Sequence, residues 1–301
     1  EDWVWNTTHI GDLHIPEMWA KTVFSDLQAG SVPDEELEKA FPILDPPPAP
    51  KKRRMDMAHF PASTITLGPD STDPRHSPAH RVETPEFWMD RYETTVAEFA
   101  SFLNGGGRDR YYDERMQIPE LCGIVHDSPG KYHVIPGRED YPAACVSYEA
   151  ALAYAESMGK TLPTEAMWER AARGLEGRRY PWGDEPVDPE RANYDFHYGG
   201  TLPVGSLLKG ASPEGIFDLC GNVKEWTVST LKPYPGGAAF EHWFNPPFFA
   251  PPYGIERAAE VPSRPVNRGG GWTKQEKCME AGYRDTHAAH NCGFRCVRIK
   301  K

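Results

Sequence analysis

Apolar residues recur at helical spacing in three stretches. In TVAEFASFLN, Val96, Phe99, Phe102 and Leu103 fall on one face, and Thr95 stands where a helix N-cap belongs. In CVSYEAALAYAESMGK, Ala151, Leu152 and Ala155 line a face between a Ser147 cap and Gly159, a residue suited to the left-handed turn after a helix. LPTEAMWERAARG predicts a third helix between Thr164 and Gly174. Alternating apolar and polar positions predict a strand in STITLG, ending at Gly68, and a second running through HRVETPEFWMDRYETT. Two more amphipathic stretches, PEMWAKTVFSDL and DEELEKAFPIL, lie upstream of a proline-rich spacer, DPPPAPKKRR, of the kind that stays extended.

Composition adds a second constraint. Thirty prolines and 27 glycines in 301 residues imply many turns and a loop-rich fold. Residues 1–55 read as an N-terminal arm and linker, and 56–301 as one compact domain. No apolar run reaches the roughly 18 residues of a membrane helix. A net charge of −11 argues against nucleic acid as a partner, which calls for a basic face. The six cysteines, Cys122, Cys145, Cys220, Cys278, Cys292 and Cys296, are compatible with disulfides. Together with a first residue that is not methionine, they point to an extracytoplasmic (periplasmic, secreted or cell-surface) setting. No G-x-S-x-G, H-E-x-x-H or P-loop pattern is present.

Six ordered blocks, FWMDRYETTVAEFASFL, VSYEAALAYAESMGKTLPTEAMWERAARG, RRYPWGDE, GIFDLCGNVKEWT, RGGGW and GFRCVR, closely resemble the sulfatase-modifying-factor family, whose namesake is the formylglycine-generating enzyme. The resemblance covers roughly Met57 to Arg298. It implies an α+β, C-type-lectin-like fold with little regular secondary structure. The family includes a copper-dependent oxidase, sulfoxide synthases and non-catalytic members, so the sites must decide the function.

By that resemblance GIFDLCGNVKEW matches a structural calcium site made of Asp218, the carbonyls of Gly221 and Val223, and the Glu225 side chain. Hard oxygen donors brought together by a Gly-Asn turn suit calcium. The competing reading makes Asn222 and Glu225 turn caps and Trp226 a core residue. A second calcium site would fall at Asn193 and Tyr194, next to a shortened segment, YDFHYGGTLPVG. Arg268 and Arg295 read as buried arginines paired with carboxylates such as Asp90 or Glu93. Glu165, Glu169 and Arg173 read as a charge ladder along one helix.

The tail carries the catalytic question. The formylglycine-generating enzymes place two cysteines here, whose thiolates suit the soft Cu(I) ion. This chain offers Cys278 near the first position and Ala281 at the second, so a copper site is not expected. Cys278 with Cys292, or Cys145 or Cys220 with Cys296, are candidate disulfides instead. His287 and His290 lie close by and leave open a mixed metal site with Cys278 or Cys292. Two functions follow. The first is a non-catalytic binding protein or accessory subunit of a larger assembly, docking through residues 1–50 and Trp3, Trp5 and Trp19. The second is an oxidoreductase whose metal site has moved to Cys278 and a nearby histidine.

Overall fold

Thr95, Ser147 and Thr164 each cap the helix predicted to start after them. A computed structural model describes residues 44–47, 56–69, 76–106, 108–112, 116, 118–237, 265–286 and 291–300. Within these, ten short strands and four α-helices are joined by long connections. The strands are β1 (Met57–Phe60), β2 (Ser63–Leu67), β3 (His80–Thr84), β4 (Phe87–Asp90), β5 (Ile124–Ser128), β6 (Lys131–Val134), β7 (Lys224–Thr230), β8 (Pro265–Arg268), β9 (Cys292–Gly293) and β10 (Val297–Ile299). The helices are α1 (Val96–Leu103), α2 (Pro119–Cys122), α3 (Tyr148–Ser157) and α4 (Glu165–Arg173). Thr95 forms a full capping box with Glu98. Gly159 and Gly174, past the ends of α3 and α4, take the positive φ that glycine tolerates best.

The single strand predicted over HRVETPEFWMDRYETT is two. Pro85 has no N–H to give a ladder, and the chain turns there. The halves then join different sheets: β3 pairs with β2, whereas β4 lies between β1 and β10. A third sheet has the order β8-β7-β9, with β9 parallel to β7, and a fourth is the β5-β6 hairpin. One core cluster gathers Phe99, Phe102, Tyr154, Trp226 and Phe294, and a second gathers Phe60, Phe87, Met89 and Trp168.

Arginines lock the elements together. Arg268 donates to Glu165 (3.0 Å) and Glu169 (2.5 Å), and Arg284 grips both oxygens of Glu165 at 2.7 and 2.9 Å. The partners expected for Arg268, Asp90 or Glu93, are thus corrected. Asp90 is held by Lys160 at 2.7 Å. The predicted ladder on α4 is half formed. Glu169 does meet Arg173 at 2.8 Å, but Glu165 turns inward to the two tail arginines.

Candidate functional site

The Gly215–Trp226 segment is built on two strained residues. Asp218 and Asn222 have φ of 57° and 58°, a region that Asp and Asn enter more readily than other side chains. Asn222 uses this geometry to bond in every direction. Its Oδ1 accepts from the Leu202 N–H at 2.8 Å, and its Nδ2 donates to Glu93 at 2.7 Å. Its N–H donates to the Asn193 carbonyl, and its own carbonyl accepts from Trp272 N–H, both at 2.9 Å. Side chain and backbone together thereby tie the turn before β7 to the segments of Glu93, Asn193, Leu202 and Trp272.

Around it lie three buried carboxylates and one buried guanidinium. Glu225 accepts from Arg295 at 2.6 and 2.7 Å and from the Trp168 indole N–H at 2.9 Å. Arg295 was expected to pair with Asp90 or Glu93; its carboxylate partner is Glu225, and it meets Asp90 only at the backbone. Asp218 accepts the Gly205 N–H at 2.6 Å. Burial lifts its carboxyl to about 6, against the opposing pull of that N–H and of Arg295. Burial, with the charges of Asp218 and Glu225, drives Glu93 well above the usual carboxylate range.

This arrangement does not fit the calcium reading. Both oxygens of Glu225 are occupied, and the group facing them is itself a cation. The Gly221 N–H bonds to Gly269, and Val223 N–H to Glu93, which fixes the turn. At the second expected site the Tyr194 carbonyl accepts from both the N–H and Nδ1 of His197. Asn193 Oδ1 is buried without a donor, but one amide oxygen falls far short of the six to eight ligands calcium takes. Among the described residues no group of three or more His, Cys, Asp or Glu is placed to hold a metal ion.

Across the Asn222 junction opens a cavity of about 240 Å³. Its walls include Trp272, whose N–H is held by Asn222, and Gly200 and Leu202, from the loop that Asn193 and Asn222 hold. Tyr198 stands on that loop with its hydroxyl fixed to the Pro189 carbonyl at 2.8 Å, after the left-handed pair Asp195 and Phe196. Arg138 and Tyr141 form another side. At the inner wall is Asn291, only 2% exposed. Its Nδ2 donates to Thr273 at 2.8 Å, which leaves Oδ1 buried with no donor. An unsatisfied buried oxygen in a cavity wall is a feature a ligand or water corrects. Pro46, from the N-terminal linker, reaches the rim, and Leu44 N–H bonds the His197 carbonyl at 2.6 Å.

The expected reactive end is closed. The Cys278 thiol is 5% exposed, packed with Tyr180, Val187, Tyr194 and Met279. Its titration is shifted upward by burial, against a Tyr283 hydrogen bond. Ala281 is fully buried in a different cluster, beside Trp168, and its carbonyl accepts from Arg268. Cys122, Cys220, Cys278 and Cys296 carry unbridged thiols, so none of the expected disulfides forms. His287 and His290 lie outside the described residues, as do Trp3, Trp5 and Trp19. The sequence reading missed the cavity. Of its lining, Trp272 lies in RGGGW, Pro46 in DPPPAPKKRR, and Tyr198 to Leu202 in YDFHYGGTLPVG, none of them read there as a pocket; Arg138, Tyr141 and Asn291 carry no sequence signal.

Comparison with known proteins agrees with this architecture. The model of the sulfatase-modifying factor enzyme 1-like domain, named FGE-sulfatase, matches residues 44–300. A hercynine oxygenase of Mycobacterium tuberculosis is 34% identical over 244 residues, covering 73% of this chain and 55% of that protein. The formylglycine-generating enzyme of Mus musculus is 28% identical over 284 residues, covering 80% and 74%. The chain therefore spans about half the length of the hercynine oxygenase. PvdO from Pseudomonas aeruginosa shares the fold with a TM-score of 0.57 at 23% identity, over 85% of this chain and 100% of that one. With a family model spanning most of its length and a relative above 30% identity, the chain belongs to the FGE-sulfatase family.

Proposed function

We propose that this chain is a binding member of its family, an accessory subunit that holds a small ligand in the Asn291 cavity rather than a copper oxidase. The observation that carries the reading is Ala281, a methyl group sealed in the core about where the family resemblance places the second copper-binding thiol. One sulfur cannot make a two-thiolate Cu(I) site, and the donor set does not fit that ion. The rival reading, an oxidoreductase centred on Cys278, is disfavoured because that thiol is buried and hard to ionise. Docking of a larger assembly through residues 1–50 remains part of the proposal. Its support is the Leu44–His197 bond, which brings the end of the arm beside the cavity. An extracytoplasmic setting also stays a proposal, and the four unbridged thiols give it no help.

The test is oxidation of a cysteine-containing peptide by the purified chain loaded with Cu(I) under air. The expected result is no aldehyde product, and copper lost to a competing chelator. Aldehyde formed with one retained copper per chain would overturn the proposal.

A further inference from the structure

We infer that the cavity takes a small carboxylic acid bearing a hydrogen-bond donor, of the size and type of a free α-amino acid, with Arg138 receiving the carboxylate and Asn291 Oδ1 the donor. The inference rests on the reading of the cavity as a ligand site and adds the ligand's class. Size comes first. A volume of about 240 Å³ equals roughly eight waters at about 30 Å³ each, and lies below the ~300–1,000 Å³ of pockets for drug-sized molecules.

Charge comes second. The Arg138 guanidinium lies 4.0 Å over the Tyr141 ring and donates one bond, from Nη2 to the Glu120 carbonyl at 3.2 Å. No carboxylate pairs with it among the described residues, and the stack presets the plane of its fork. A planar, pre-oriented guanidinium with donors to spare is matched by a carboxylate, which it grips with two bonds. The loop beneath is fixed: Arg138 N–H bonds Ile135, and the Tyr141 carbonyl receives Val96 N–H at the start of α1. Arg138 is half-buried and Asn291 is buried, so the cation lies nearer the mouth than the lone acceptor. Thr273 holds the Asn291 amide, and its free oxygen selects N–H or O–H. Trp272 and Tyr198 give the space between them apolar, rigid sides, and Glu120 in the same wall suits an ammonium group.

The experiment is calorimetric titration of the whole chain with L-phenylalanine, L-leucine and L-glutamine, each compared with its carboxamide and with its decarboxylated amine. The expected result is that at least one acid binds about tenfold or more tightly than its amide and amine, a ratio of one decade in Kd. R138Q should bring that acid down to the level of its amide. N291L should weaken acid and amide together, and N291D, which keeps an oxygen acceptor for an ammonium donor, should retain binding if N291L melts early. Acids and amides binding alike, with N291L weakening both, would overturn the carboxylate inference and leave the cavity reading standing. If none of the nine probes binds, both fall.

Discussion

Glu225 and Arg295 face each other in the fully buried centre of the domain, joined by bonds of 2.6 and 2.7 Å. Arg295 also donates to the carbonyls of Phe217, Arg91 and, at 3.4 Å, Asp90, so its planar fork serves five acceptors from three segments. Glu225→Gln should therefore destabilise by about 3–5 kcal/mol, because it leaves a buried guanidinium without its counter-charge. Arg295→Lys should be nearly as damaging, since an ammonium cannot span those acceptors. Urea denaturation measures both. A loss below about 1 kcal/mol for Glu225→Gln would mean the pair is not buried as described.

Asp218 gives the pair a pH signature. Its carboxyl titrates near 6 in the folded chain against an ordinary 3.8. The folded state thus holds the proton more tightly than the unfolded state. The contribution of this group is favourable below the unfolded value and is lost as pH rises through about 6. Stability should fall between about pH 4 and pH 6 and then level off as far as this residue is concerned. Asp218→Asn keeps an acceptor for Gly205 and tolerates the φ of 57°, so it should stabilise the protein above that range and change little below it. Melting curves across the range decide it, and a variant weaker than wild type at neutral pH would contradict the assignment.

Local order was legible where a single residue decides it. Thr95, Ser147 and Thr164 fix helix starts, and Gly159 and Gly174 fix helix ends, by chemistry confined to one turn. Pro85 was equally visible, yet the alternation around it hid a break between two sheets. The site was less legible because its logic is long-range. Glu225 meets an arginine 70 residues away, and Asn222 meets a glutamate 129 residues away. Two carboxylates seven residues apart suggest a cation, and the sequence cannot say that the cation is Arg295. The cavity was invisible for the same reason, since Arg138, Tyr198 and Asn291 come from three separated segments.

Asn222→Asp should be far worse than its size suggests. The new carboxylate would replace an N–H donor 2.7 Å from Glu93 and add a further buried negative charge. A loss of about 3–5 kcal/mol at neutral pH is expected, partly recovered on acidification as the two carboxyls share a proton. Asn222→Ala should cost about 1–3 kcal/mol for the orphaned Leu202 N–H, with little pH dependence. The contrast is the informative readout. Two variants with the same pH profile would show that Asn222 does not touch Glu93.

The thiols offer a direct check on the closed tail. Cys122 is lifted to about 11 by burial, and Cys278 is shifted the same way. Only thiolate reacts with iodoacetamide, so both should alkylate far more slowly than a free cysteine in the native chain, and fully after unfolding. Mass spectrometry of peptides from labelled protein reads each site separately, and the thiols of Cys122, Cys220, Cys278 and Cys296 should appear without added reductant. Slow labelling of Cys278 would leave the altered-oxidase reading without its proposed ligand. Labelling of Cys278 at the free-cysteine rate would instead show an open, ionisable thiol, and would return metal chemistry to the tail.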